Sequence, residues 1–271
     1  MNGEHQSVLR GRGMEFDQVV KYAYGDDIRD VDWNVTARLG DLFRKVFIEE
    51  RDVAFYVIVN DDPALQFGSG GASKRDVLLE ITGFLMMLAA VNRERVALRR
   101  VAPDGIKVVP PTRRRAAVMA AIADLFAAPA PDPTAPFAAT PADVGALPRG
   151  AVVVWLGEVP DVEPPRQWAA LRRRHQVVGI RVEDAWEREG PTTPGMAYDP
   201  TSHAVVALDL SPPGRAAHAA WRARREALWS AWWPDPADRL VADAEGDTFA
   251  ALLRFLKARR RAPSQPAFRA P

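Results

Sequence analysis

Apolar positions along this chain fall into short runs of two kinds. Residues 53–59 (VAFYVIV) and 151–156 (AVVVWL) are apolar on both faces, as strands in the middle of a parallel sheet should be. Residues 177–182 (VVGIRV) and 204–210 read as further strands. Residues 77–91 (VLLEITGFLMMLAAV) form a longer run, interrupted by Glu80, preceded by Lys74, Arg75 and Asp76 and followed by Arg93, Glu94 and Arg95. It falls short of the ~20 residues that a membrane span needs, so it reads as a buried helix. Residues 113–126 put Val118, Ile122, Leu125 and Phe126 at helical spacing, and residues 166–176, 215–233 and 248–261 read as further helices. Residues 96–101 and 106–109 flank Pro103-Asp104-Gly105, which signals a hairpin. Strands alternating with helices predict an α/β fold. Its sheet is open and mostly parallel, with helices on both faces and one antiparallel edge hairpin.

Residues 127–148 break the pattern. Prolines at 129, 131, 133, 136, 141 and 148 rule out regular structure, and the stretch is expected to be a surface loop insertion. The 271 residues suit one large domain with an extension, or two small ones, and 48% hydrophobic content is enough for a sizeable core. With 36 basic and 35 acidic side chains, long-range attraction to nucleic acid or an anionic membrane is not expected. The absence of cysteine excludes disulfides and thiolate chemistry, and fits a reducing, cytoplasmic setting. The first residues, MNGEHQSVLRGRG, have no apolar core and do not read as a signal peptide.

The densest chemistry lies in residues 22–38, YAYGDDIRDVDWNVTAR. Asp26, Asp27, Asp30 and Asp32 sit there with Arg29, Arg38 and Trp33. Gly25 frees the backbone for a turn, and Asp26 or Asp27 can then cap a short helical turn. The arginines are close enough to pair with the acids, and Trp33 is expected to be the apolar group that the segment buries. The run G-D-D-x-R-x-V-D-W-x-x-T-A-R, with Glu15-Phe16 upstream and Glu50-Arg51 before an apolar strand, resembles a bacterial family. It is similar to domain-of-unknown-function family 58, whose members carry a von Willebrand factor A-like domain. The resemblance implies an N-terminal extension with the signature over residues 1–50. The von Willebrand factor A-like domain would follow over 51–261, with a disordered tail over 262–271. Many relatives are expected to carry two membrane helices ahead of the signature; this chain starts almost at the signature and looks like a version without them.

The resemblance also implies a place for a metal. A von Willebrand factor A-like fold holds Mg²⁺ with an aspartate and two hydroxyls, D-x-S-x-S, after its first strand, then with a threonine and an aspartate from later loops. Here the corresponding loop reads Asn60-Asp61-Asp62-Pro63-Ala64, aligned on Phe67-Gly68. Asn60 stands for the aspartate, Asp62 for the first serine and Ala64 for the second. Asn60, Asp62, Thr112 and Glu158 could assemble at most a weak oxygen site for Mg²⁺, and the preferred expectation is a degenerate site with no cofactor. Ligands of open α/β sheets gather at the carboxyl ends of the strands. The expected partner-binding face therefore holds Asp61 and Asp62 with Arg113, Arg114 and Arg115, the three arginines supplying the positive charge of the missing cation.

Three function classes follow, the third a purely structural subunit. The family resemblance implies a non-enzymatic protein-interaction module, an adaptor or co-chaperone for an AAA+ ATPase of the MoxR type that helps assemble or mature a client complex. The alternative is a metal-dependent hydrolase using Asp26, Asp27, Asp30 and Asp32, against which stand the arginines that would compete with metal. Other catalytic patterns are missing: the four histidines are scattered, and Gly68, Gly70, Gly71, Ser73 and Lys74 do not have phosphate-loop order. Arg172 to Arg174 and Arg259 to Arg261 sit near helix C-termini, where the dipole favours them. Trp221, Leu228 and Trp232 share one helix face with Trp229 beside them, whereas Trp233 lies off that stripe and is expected to be an exposed contact.

Overall fold

A computed structural model describes residues 14–49, 54–142, 144, 147, 150–199 and 204–261; the expected tail at 262–271 lies outside them. The chain divides into two compact units, residues 1–53 and 54–271.

In the first unit, β1 (Met14–Lys21) and β2 (Phe43–Glu49) pair antiparallel, with a register shift between Phe16 and Gln18. Between them run a 3-10 turn (Ile28–Asp30) and the helix α1 (Trp33–Leu39). Asp32 caps α1 by accepting from the backbone N–H of Asn34 and Val35, and Gly40 ends it in the left-handed region at φ 79°.

The second unit opens with β3 (Ala54–Asn60) and α2 (Lys74–Val91). The hairpin β4 (Arg95–Ala102) and β5 (Gly105–Thr112) follows, then α3 (Arg115–Ala127) and β6 (Val152–Leu156). Next come α4 (Arg166–Arg174), β7 (Gln176–Glu183) and α5 (Ala185–Glu189). The strands β8 (Met196–Asp199) and β9 (Ala204–Ala207), α6 (Pro212–Trp232), β10 (Arg239–Asp243) and α7 (Thr248–Arg261) complete it. The main sheet runs β10-β7-β6-β3-β4-β5, parallel throughout except for β5. This is the mostly parallel α/β sheet with one antiparallel edge that the sequence predicts. Its order reverses at β3, which has β4 on one side and β6 on the other, so the cleft at the carboxyl ends of β3 and β6 is the switch point.

Strand alternation divides the core. Ile58, Val153, Trp155 and Val177 face one side and join Trp168 of α4 with Trp229, Trp232 and Trp233 of the α6 end. The rings interlock, Trp229 on Trp233 at 4.4 Å and Trp155 on Trp233 at 5.2 Å between centroids. Trp233 is therefore not the expected exposed contact; it is fully buried, while Trp221 is 41% exposed. Gly179 of β7 makes room for it, since a Cβ there would stand 2.4 Å from the ring.

Two other expectations are corrected. Residues 204–210 do not supply the last strand of the sheet. Among the described residues β9 pairs with β8 alone in a separate two-stranded antiparallel sheet, and the sixth strand of the main sheet is β10. The Pro/Ala-rich stretch is irregular as expected among its described residues but does not lie wholly at the surface. Pro131, Pro141 and Val144 are buried, and the Gln66 side-chain amide donates to the Pro131 carbonyl at 2.5 Å.

Candidate functional site

Three of the signature's four aspartates, Asp26, Asp27 and Asp32, are spent on local structure. Asp27 caps the 3-10 turn through the Arg29 N–H and takes the Arg29 guanidinium on both oxygens at 2.9–3.2 Å. That partner holds the Asp27 carboxyl below its usual range. Asp26 accepts from the Ala23 N–H and pairs with Arg44 of β2 at 2.8 Å, while the Tyr22 hydroxyl donates to the Asp26 carbonyl. Asp32 caps α1 and lies 3.7 Å from Lys45. Asp30 sits in the 3-10 turn itself. Gly25, at φ 102°, makes the turn before them. Arg38 is exposed in the last turn of α1; among the described residues the acids pair with Arg29, Arg44 and Lys45 rather than with it. Trp33 corrects a further expectation. It opens α1 at 63% exposure, and Val31 is the buried apolar residue of the segment. Tyr24, Ile28, Leu39 and Leu42 are exposed with it.

The carboxyl edge of the main sheet carries a second constellation. Ser73 and Asp76 form a capping box that fixes the start of α2, and the Lys74 N–H bonds back to the Phe67 carbonyl, closing the loop after β3. This turns Lys74 and Arg75 inward at the first turn, where the helix dipole opposes positive charge. Both are compensated. The Lys74 ammonium donates to Glu158 Oε1 at 2.5 Å and to Glu187 Oε1 at 2.7 Å, with its side chain 2% exposed. Arg225 of α6 takes the other Glu158 oxygen and lies 3.6 Å from Glu187. Arg75 and Arg100 grip the two oxygens of the fully buried Asp61, and Arg75 also donates to the carbonyls of Ala128 and Pro129. Ser69 donates twice to Asp184 beyond β7, at 2.6 and 2.9 Å.

Electrostatics follow the contacts. Burial pushes the Glu158 carboxyl up, but Lys74 and Arg225 outweigh it and hold it down to about 2. Burial raises Asp62, whose Oδ1 caps the turn 63–66 through the Ala64 N–H, and the nearby Glu158 adds to the shift. Asn60 is buried at the end of β3 under Gly157, where a Cβ would meet the Asn60 Cβ at 2.6 Å. A cavity of about 200 Å³ lies between α6, β7 and β10, lined by Arg181, Glu183, Arg222, Arg225, Glu226 and Val241. It is smaller than the roughly 300–1,000 Å³ of a typical small-molecule pocket.

The donor set of the implied metal is only partly assembled. Asn60, Asp61, Asp62 and Glu158 come together at the carboxyl edge. Thr112 and the arginines after it do not. Thr112 pairs with Val96, beside the start of β3, because β5 runs antiparallel. It therefore lies about five residues, roughly 17 Å, from the level of Asn60 and Val101. Arg113, Arg114 and Arg115 follow it at the amino edge, where Arg113 donates to the Arg93 carbonyl and Arg114 precedes α3. They cannot supply the cation at Asp61 and Asp62. That charge comes from Lys74, Arg75, Arg100 and Arg225, two of them adjacent at the start of a helix, directly after the loop. Among the described residues no three His, Asp or Glu side chains converge as metal ligands, and both Glu158 oxygens already face cations, so the residues present do not fit Mg²⁺.

These features define an open, mostly parallel α/β domain whose ligand-side edge is closed by its own ion pairs. The chain belongs to the family described as Protein of unknown function DUF58, which matches residues 18–227. Uncharacterized protein Rv1480 of Mycobacterium tuberculosis and Uncharacterized protein Mb1516 of Mycobacterium bovis are each 26% identical to it over 270 residues, covering 96% of this chain and 84% of theirs. Among solved structures it is similar to the conserved hypothetical protein BatB from Bacteroides thetaiotaomicron (TM-score 0.44, 12% identity, 78% of this chain and 100% of that one). It is also similar to the SpRpn10 VWA domain (TM-score 0.42, 10% identity, 74% and 94%).

Proposed function

We propose that this chain is a non-enzymatic protein-interaction module, an adaptor or co-chaperone for a MoxR-type AAA+ ATPase acting on a client complex. One observation carries the reading. Asp26, Asp27 and Asp32 of the signature are engaged as caps and ion pairs, while Tyr24, Ile28, Trp33, Leu39 and Leu42 face outward. A hydrolase would need the reverse, with free carboxylates converging and apolar groups tucked behind them. Exposed aromatic and aliphatic side chains on a rigid turn are what a protein contact uses. The ATPase as partner comes from the family resemblance.

The full chain, fluorescently labelled, is titrated with a purified MoxR-type ATPase from the same cell. Wild type binds; Ile28→Asp with Trp33→Asp weakens binding at least tenfold at unchanged melting temperature, because both side chains are already in water. Asp30→Asn leaves binding within about threefold. Equal binding by wild type and the Ile28/Trp33 variant contradicts the reading, as does a hydrolytic activity that Asp30→Asn abolishes.

A further inference from the structure

Strand register gathers arginines at one edge of the main sheet. β3 sets Ala54 opposite Arg95 of β4, and on its other side Phe55 faces Val152 of β6, which in turn faces Gln176 of β7. Residues 93–95 and 173–175 therefore stand level at the amino ends of their strands. β5 ends there too, with Thr112 opposite Val96 and Arg113 to Arg115 following. We propose that this amino edge is a docking surface for an acidic protein segment, an extended run of Asp and Glu laid across the strand ends. The inference goes beyond the interaction reading, uses other residues and does not depend on it.

Charge carries it. Arg93, Arg114, Arg115, Arg173 and Arg174 are exposed, and among the described residues none of them enters an ion pair. At the carboxyl edge, by contrast, Lys74, Arg75, Arg100 and Arg225 each meet a carboxylate. The whole chain carries only +1, so unmatched arginines along one edge are a local excess of positive charge. Helix dipoles account for part of it. Arg173 and Arg174 close α4, where the dipole favours them, but Arg114 and Arg115 open α3, where it opposes them. No acid stands in the first turn of α3 and no side chain caps it, so positive charge is kept where an acid would serve the helix better. Burial, and after it the Arg174 charge, holds the His175 imidazole below its usual range, as a positive field does. From β5 to β7 is four strand spacings, roughly 19 Å at ~4.8 Å each, which an extended segment of about six residues covers at ~3.3 Å per residue. A single-stranded nucleic acid would also want aromatic side chains to stack on, and no exposed aromatic residue among those described falls within 91–95, 112–116 or 172–176. The charge pattern therefore favours a polypeptide.

The test titrates the full chain into fluorescently labelled decaglutamate, decaglutamine or an oligothymidylate of the same length, and reads anisotropy at low and high salt. Two edge variants, Arg114→Glu with Arg115→Glu and Arg173→Glu with Arg174→Glu, are compared with a control of equal charge change, Lys107→Glu with Arg166→Glu, at exposed positions off this edge. Wild type should bind decaglutamate saturably, lose it as salt rises, and ignore decaglutamine. Each edge variant should bind at least tenfold more weakly at an unchanged melting temperature, and the control should stay within about threefold of wild type. Should an edge variant melt lower, the same positions changed to Gln read the loss without the reversed charge. The inference is overturned if wild type does not bind decaglutamate, if either edge variant binds it as wild type does, or if the control loses as much as they do. Oligothymidylate bound as tightly as decaglutamate overturns it too, because the edge would then be a nucleic-acid surface.

Discussion

Trp233 lies off the apolar stripe of its own helix, yet its ring is fully buried, because the residue facing it across the core is Gly179. Helical periodicity judges a side chain only against its own element and cannot register a hole in a strand more than 50 positions away. Gly179→Ala should overpack this contact and lower stability by about 1–3 kcal/mol, read from urea unfolding; an unchanged midpoint would mean that the ring does not rest there. Lys74 repeats the lesson with charge. The order Ser73-Lys74-Arg75 is legible as a capped helix start with two cations where the dipole disfavours them. The partners that resolve it, Glu158 and Glu187, are 84 and 113 positions away, and one-dimensional spacing holds no trace of that proximity.

At the scale of elements, Glu158 acts as a clasp between β6 and the helices α2, α5 and α6, through Lys74 and Arg225, which also face Glu187. Its folded pKa of about 2 lies below the ordinary 4.5, so the clasp contributes fully above pH 4.5 and is lost as pH falls toward 2. Asp62 works with the opposite sign, its raised pKa favouring the folded state as the pH drops, and offsets part of the loss. Denaturant midpoints should therefore fall between pH 4.5 and 2 by the equivalent of a few kcal/mol at most, and Glu158→Gln should flatten that limb. A wild-type midpoint flat across the window would remove the clasp. The strands and helices themselves were legible wherever apolar runs were long: β3, β6, β7 and α2 lie within a few residues of their expected bounds. β10 was not, because RLVAD is a short, half-exposed strand after a proline-rich turn. The hairpin β4–β5 was legible, but its consequence was missed: an antiparallel return carries Thr112 back to the amino edge.

For the whole molecule, the two units divide the candidate surfaces between them. The first presents exposed apolar side chains around residues 24–42; the second closes its carboxyl edge with buried ion pairs. No helix among the described residues is long and apolar enough to cross a membrane. The central claim is that partner binding uses the signature's outward face. Hydrogen exchange of the full chain, with and without a MoxR-type ATPase, tests it most directly, because a docked partner slows exchange at the backbone it covers. The account predicts added protection across residues 22–42. Protection confined to residues 105–115, the edge strand β5 and the arginines after it, with 22–42 exchanging as in the free chain, would contradict it.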